Sequence, residues 1–138
     1  MNIRLTILLL LSSFSLQAQM PTILSLKQQG EVEDQWLVER METVMPMLME
    51  RTGIDMWVLI SREYNEDPVL KTMLPSNWLN ARRTTILIVY NTGEGIETLA
   101  CARYQVGETF TTAWDKDTQP AQWAQLREII EERDPKKI

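Results

Sequence analysis

The stretch DMWVLIS at residues 55–61 carries five consecutive apolar side chains between two polar ends. An apolar run without alternation is typical of a β-strand that is covered on both faces. TTILIVY at residues 84–90 has the same character, and the asparagine and glycines of NTGEG at 91–95 favour a hairpin turn after it. Residues 96–104 alternate instead, which predicts a third strand nearer the edge of the sheet than the first two.

Two longer helices are predicted around these strands. Apolar residues recur at spacings of three and four within 31–51, so they share one helical face. Pro46 is expected to kink or divide this helix near Thr43, and Gly53 is expected to end it. A last helix is expected to begin at Pro120, since proline suits the first helical turn.

The remaining segments are polar or irregular. We predict an extended leader at 20–30, a short helix at 69–74 within a polar connection, a loop at 106–119 and the opening of another strand at 136–138. A polar excursion that follows a central strand is a common place for function. The order of these elements predicts an α/β domain in which a mixed β-sheet is flanked by helices.

The first 19 residues have the features of a secretory signal peptide. Arg4 is their only charge, a short apolar run follows at 5–11, and the segment ends in small or polar residues at Ala18 and Gln19. A membrane-spanning helix needs roughly 20 apolar residues, so no stable membrane anchor is expected. Residues 20–138 are therefore predicted to be one exported domain, either periplasmic or secreted.

Composition argues against several classes of function. The formal net charge is −5 and there is no basic run, which suits nucleic acid poorly. The sequence contains no histidine, the commonest metal ligand and usual general base, so catalysis by this segment itself is not expected. The apolar neighbours of Cys101, the single cysteine, favour a buried structural thiol over a reactive one.

Two loops carry side chains that can bind ligands. Glu63, Glu66 and Asp67 offer oxygen ligands but match no calcium-loop spacing, so solvated carboxylates are the favoured interpretation. Arg82 and Arg83 precede the second strand, and arginine binds carboxylates through two parallel hydrogen bonds. They can present a cation to an anionic ligand or a peptide end; the favoured alternative is a salt bridge to residues 63–67.

Five stretches, at residues 40–46, 53–68, 78–87, 103–107 and 122–135, resemble the N-terminal domain of bacterial exported Xaa-Pro aminopeptidases of the creatinase/prolidase superfamily. The likeness covers nearly all of the chain after the signal peptide. The resemblance implies a ribonuclease-H-like fold that is not catalytic, followed beyond Ile138 by a metallopeptidase domain. In the family, two Asp, one His and two Glu of that later domain bind a pair of divalent metals, and none of these ligands lies in this sequence.

The resemblance also implies partners. The family's N-terminal domain supports homodimer assembly and helps to wall the active site, while the peptide substrate binds through the catalytic domain. The residues expected to contribute here are Arg62, Glu63, Tyr64, Asn65, Trp78, Arg82 and Arg83. Two alternatives remain open: a free-standing periplasmic interaction or binding module, and an inactive gene fragment.

Overall fold

The computed structural model describes residues 23–138, and the predicted signal peptide at 1–19 lies outside that range. A sheet of four strands follows a long helical segment and precedes a final helix. In chain order the elements are α1 Leu26–Glu39, a π-helical turn Arg40–Val44, α2 Met45–Thr52, β1 Met56–Arg62, α3 Pro68–Met73, β2 Thr84–Asn91, β3 Ile96–Cys101, β4 Thr111–Thr112 and α4 Gln122–Arg133.

The strands lie in the order β1-β2-β3-β4. β1 and β2 are antiparallel, as are β2 and β3, whereas β3 and β4 are parallel. The expectation that β1 is more central than β3 is wrong, because among residues 23–138 β1 pairs only with β2. Its unbroken apolar run reflects contact with helices on both faces of the sheet, which does not depend on how many strands flank it.

Helices cover both faces of the sheet, and each face has its own core. α1, α2 and α3 pack on one face, and α4 packs on the other. The first core includes Leu37, Met45, Leu70, Leu87, Val89 and Phe110. The second includes Met56, Ile86, Ile88, Leu126 and Ile129. The predicted mixed sheet flanked by helices is confirmed.

The first helix begins earlier than the sequence suggested. Ser25 caps it, because its hydroxyl accepts a hydrogen bond from the backbone N–H of Gln28 and the Gln28 side chain accepts one from the Ser25 N–H. This reciprocal pair satisfies two donors that a helix start leaves free. The predicted extended leader is therefore wrong from Leu26 onward.

The predicted interruption before Pro46 is confirmed as a π-helical turn at Arg40–Val44. Proline has no N–H to donate to the carbonyl four residues earlier. The backbone widens instead, and the N–H of Met45 bonds to the carbonyl of Arg40, five residues back. Gly53 then ends α2 with φ of 63°, as expected.

Two other boundaries differ from the prediction. β3 ends at Cys101 rather than at 104, and α4 begins at Gln122 rather than at Pro120. The backbone of Ala121 is still non-helical, with φ of −90° and ψ of 87°, and the Gln122 side chain donates to the backbone carbonyls of Thr84 at 2.9 Å and Cys101 at 2.8 Å. The start of α4 is thereby attached to β2 and β3 at one end of the sheet.

An ion pair attaches the other end of α4 to the sheet. Arg133 donates to both carboxylate oxygens of Glu97, at 2.6 and 2.8 Å. These hydrogen bonds hold the pKa of Glu97 below its ordinary value of 4.5, and they outweigh the opposing effect of partial burial. Because Glu97 remains about a third exposed, solvent screens much of the attraction.

We expect Glu97→Gln to lower the free energy of unfolding by about 0.5–1 kcal/mol at pH 7. The folded pKa lies below the unfolded one, so this contribution is present above pH 4.5 and is lost as pH falls through the folded value. Urea unfolding of both proteins at pH 7 and pH 3 measures it, with Glu94→Gln in the exposed turn as the control. A difference that persists unchanged at pH 3 would contradict the assignment.

Candidate functional site

Three loops meet at one end of the sheet. They follow β1, precede β2 and follow β3, and the antiparallel pairing that sets Arg62 opposite Thr84 and Ile86 opposite Cys101 brings them side by side. They enclose a hollow of about 260 Å³, which we call the arginine cleft; it is lined by Glu63, Arg82, Arg83, Arg103 and Tyr104. A second hollow of about 350 Å³ adjoins it and shares two of these residues; it is lined by Asn77, Trp78, Arg82 and Tyr104.

The cleft's guanidinium groups have no ionic partner within the described part of the chain. The six ion pairs of residues 23–138 involve other cations, so no carboxylate oxygen lies within 4.0 Å of the guanidinium of Arg82, Arg83 or Arg103. The favoured prediction of a salt bridge from Arg82 or Arg83 to residues 63–67 is therefore wrong. All three arginines are exposed.

The acidic side chains of the first loop bind backbone groups instead. A carboxylate oxygen of Glu63 accepts from the backbone N–H of Arg83 at 3.2 Å, and one of Glu66 accepts from the N–H of Tyr64 at 3.0 Å. Asp67 caps α3 by accepting from the N–H of Val69 at 2.7 Å. These contacts shape the loops and leave the arginine side chains free.

Two buried hydroxyl groups fix the loops to the sheet. Among the described residues, the buried polar side chains are Ser61 and Thr85, and both serve this end of the sheet. Ser61 accepts from the N–H of Asp67 at 3.0 Å, and Thr85 accepts from the N–H of Arg82 at 3.0 Å. Because buried polar groups are costly unless hydrogen-bonded, these residues hold the two loops in defined positions.

The same loops contain strained backbone. Tyr64 and Arg83 adopt left-handed conformations, with φ of 67° and 57°. Residues other than glycine rarely do so, and each instance costs on the order of 1 kcal/mol or more. Arg83 is held there by Glu63 from both sides, since the Glu63 N–H also donates to the Arg83 carbonyl at 2.7 Å. Strain of this kind clusters at functional sites, and it also occurs at Asp134, which ends α4 with φ of 42°.

Glycine is required where the third loop meets the second. At Gly107, φ is 56° and a Cβ atom would lie 3.1 Å from the Pro75 ring. A larger residue would push apart the segments that carry Trp78 and Arg103. Gly107 therefore permits the loop after β3 to lie directly against the loop that precedes β2.

The arrangement suits recognition of an anion. Exposed guanidinium groups bind a carboxylate through paired, charge-assisted hydrogen bonds. Trp78 and Tyr104 provide apolar faces beside them, on which an apolar part of the same ligand can pack. Among residues 23–138, no group of three or more His, Cys, Asp or Glu side chains is placed to hold a metal ion.

The structure brings together most of the residues singled out from the sequence. Glu63, Arg82 and Arg83 line the cleft and Trp78 lines the adjoining hollow. Arg62, Tyr64 and Asn65 lie in the turn that closes β1, where the Asn65 N–H donates to the Arg62 carbonyl at 3.0 Å. Tyr64 is 86% exposed and does not line either hollow.

Sequence reasoning missed Arg103 and Tyr104 as site residues. The signal was present in the predicted hairpin, because two antiparallel strands joined by a short turn place the end of the second beside the start of the first. Applying that rule to residues 84–90 and 96–104 would have set Arg103 beside Arg82.

Cys101 lies at the base of this end of the sheet and is fully buried, as expected. Burial raises the pKa of its thiol to about 11 from the ordinary 9.0. The thiolate fraction at pH 8 is then about 100-fold below that of the unfolded chain. The thiol form stabilises the fold below pH 9.0, and this contribution is lost as pH rises through 11.

We expect iodoacetamide to alkylate native Cys101 at least about 100-fold more slowly than the urea-unfolded chain at pH 8, because the thiolate is the reactive form. Mass spectrometry of timed samples measures both rates. Native and unfolded rates within tenfold of each other would show that the thiol is accessible.

Comparisons of the chain with protein-family models, with curated proteins and with solved structures give no match. No helix in residues 23–138 is long and apolar enough to cross a membrane. The interpretation of the arginine cleft therefore depends on its residues and geometry.

Proposed function

We propose that this chain is the non-catalytic N-terminal domain of an exported, metal-dependent Xaa-Pro aminopeptidase or related prolidase-like hydrolase. In this proposal the arginine cleft walls the active site and pairs with a carboxylate of the bound peptide. One observation carries it: three stretches that resemble the family, at 53–68, 78–87 and 103–107, are separate in sequence but converge on this one cleft.

The chemistry of the cleft supports this role. The protein is acidic as a whole, yet three unpaired arginine side chains lie together at one end of the sheet. A peptide substrate has a carboxylate at its end, and a bidentate arginine contact fixes such a group in orientation as well as position. A residue that positions the substrate in this way accelerates the reaction, although it takes part in no chemical step itself.

In this proposal the two domains of the full-length protein have different functions. The two divalent metals and the hydrolytic chemistry belong to a following domain, and this segment binds no cofactor of its own. A homodimer of the full-length protein presents the cleft to an active site, either its own or that of the other subunit. Arg82 and Arg83, on a strained and anchored loop, are the residues proposed to face the peptide.

Sequencing the DNA directly after the Ile138 codon tests the proposal. We expect an open frame that encodes a domain with two Asp, one His and two Glu at metal-site spacing, and we expect the full protein to release the residue before proline from peptides. A frame without those ligands would overturn the peptidase assignment. A stop codon would favour the alternative, a periplasmic module that binds anionic ligands in the same cleft.

A further inference from the structure

A second hollow of the molecule has the opposite charge to the arginine cleft and shares no residue with it. It has a volume of about 500 Å³ and lies between the helical segment and the start of β3, so we call it the β3 hollow. Small-molecule sites typically have volumes of about 300–1,000 Å³. The lining residues that matter here are Val38, Met41, Glu42, Pro46, Ile96 and Glu108.

The walls of the β3 hollow are largely apolar. Met41 is buried, Pro46 and Ile96 are half-buried, and Val38 is 43% exposed. Val38 and Met41 are three residues apart in the helical segment, so their side chains are neighbours on one side of it. An aliphatic chain that lies against these residues would remove apolar surface from water on both partners, which favours binding.

Two carboxylates at this hollow have no ionic partner among residues 23–138. Glu42 lies in the π-helical turn and Glu108 lies in the connection after β3, and both are exposed. Neither takes part in an ion pair of the described chain, so no lysine or arginine nitrogen lies within 4.0 Å of them. An apolar hollow with unpaired negative charge is complementary to an apolar ligand that carries a positive charge.

The π-helical turn adds a backbone acceptor at the same place. In an α-helix the Met41 carbonyl would accept from the N–H of Met45, and in a longer π-helix it would accept from residue 46. The Met45 N–H bonds to Arg40 instead, and Pro46 has no N–H. The Met41 carbonyl therefore loses its usual helical donor, and π-helical turns are frequent at functional sites.

The backbone beside Glu108 is held by its neighbours. The Thr98 hydroxyl donates to the Thr109 carbonyl at 2.5 Å, which attaches this connection to β3. The next residue, Phe110, is 1% exposed and packs in the core. Because the backbone is already fixed, little order has to be gained there when a ligand binds.

We infer that the β3 hollow binds a small aliphatic amine. Its ammonium group donates to the carboxylates of Glu42 and Glu108 and to the Met41 carbonyl, and its three N–H donors match these three acceptors. Its aliphatic chain packs on Val38 and Ile96. A metal ion fits less well, because calcium and magnesium need six or more oxygen ligands. The inference does not require that the protein be a peptidase.

Binding of pentylamine at pH 7, followed by the methyl signals of Val38 and Ile96 in NMR, tests this inference. Methylamine has the same charge without the chain, and pentanoate has a similar chain with the opposite charge. Each fully buried methylene group strengthens binding about fourfold. We therefore expect pentylamine to bind at least about tenfold more tightly than methylamine and expect pentanoate not to bind. Equal binding of the two amines would overturn the inference, because the carboxylates would then act without the hollow.

Charge-removing variants test the two carboxylates. Glu42→Gln together with Glu108→Gln is expected to keep the fold by circular dichroism, since both side chains are exposed, and to weaken pentylamine binding at least about fivefold. The control is Glu33→Gln together with Glu50→Gln, which removes two exposed carboxylates that do not line the hollow. We expect the control to bind within about twofold of the unchanged chain at the same salt concentration. An equal loss in both variants would contradict the assignment.

A substitution in the apolar wall gives an independent readout. Val38→Ser is expected to weaken pentylamine binding at least about threefold and to leave methylamine binding unchanged, because only the longer amine reaches the wall. Val44→Ser is the matched control, since Val44 lies in the same helical segment, is 39% exposed and does not line the hollow. Unchanged pentylamine binding in the Val38 variant would show that the chain does not pack there and would overturn the inference.

Discussion

Phe110→Ala is expected to lower the free energy of unfolding by about 3–5 kcal/mol. Phe110 lies in the connection between β3 and β4, yet it is only 1% exposed and belongs to the core beneath α1 and α2. Truncation removes the aromatic ring and leaves a cavity that the surrounding strands and helices cannot fill completely. Since small domains have total stabilities of roughly 5–15 kcal/mol, this single change removes a large share.

Urea unfolding monitored by circular dichroism measures this loss. Leu79→Ala is the matched control, because it also truncates an apolar loop residue but one that is 84% exposed. We expect the control to change stability by no more than about 0.5 kcal/mol. Equal effects of the two substitutions would show that Phe110 does not pack in the core.

Replacing Arg82 and Arg83 together by alanine is expected to weaken binding of a peptide carboxylate at least about tenfold, because a charge-assisted pair is lost. The probe is a tripeptide with proline at its second position, titrated against the chain and followed by the arginine Nε–H signals in NMR. The same peptide with an amidated C-terminus is expected to bind weakly to both proteins. Binding is also expected to weaken with salt, since the groups are exposed.

A control variant that loses the same number of positive charges distinguishes binding in the cleft from general electrostatic attraction. Arg51→Ala together with Arg127→Ala removes two exposed arginines that lie on α2 and α4, outside the cleft. We expect this variant to bind the carboxylate within about twofold of the unchanged chain when both are measured at the same salt concentration. An equal loss in both variants would mean that the cleft does not recognise the carboxylate.

Much of the fold was predictable because the spacing of apolar residues along the chain indicates which side chains are buried. The apolar runs around Val58 and Ile88 predicted strands in contact with core on both faces, and the structure has these strands. The missing N–H of Pro46 predicted a break in the first helix, which occurs as the π-helical turn. These are local effects, so they can be read from neighbouring residues.

The candidate site was predictable only in part. Arg82, Arg83 and Glu63 were identified because charged loop residues followed or preceded apolar runs. The predicted salt bridge between them was wrong, since the carboxylate of Glu63 binds the backbone of Arg83. Which of two donors a carboxylate selects depends on distances of less than an ångström, and residue types do not specify them.

The sequence by itself determined β1, β2 and β3, most of the helices, the class of fold and the basic and aromatic character of the loops, whereas β4 at Thr111–Thr112 lies within a predicted loop. Only the tertiary structure decided that β1 lies at an edge, that Phe110 is core, and that Arg103 joins Arg82 in one cleft. The physical reason is that hydrophobic patterning records whether a side chain leaves water. It does not record which distant segment replaces the water, because that depends on strand pairing and on the packing of the whole chain.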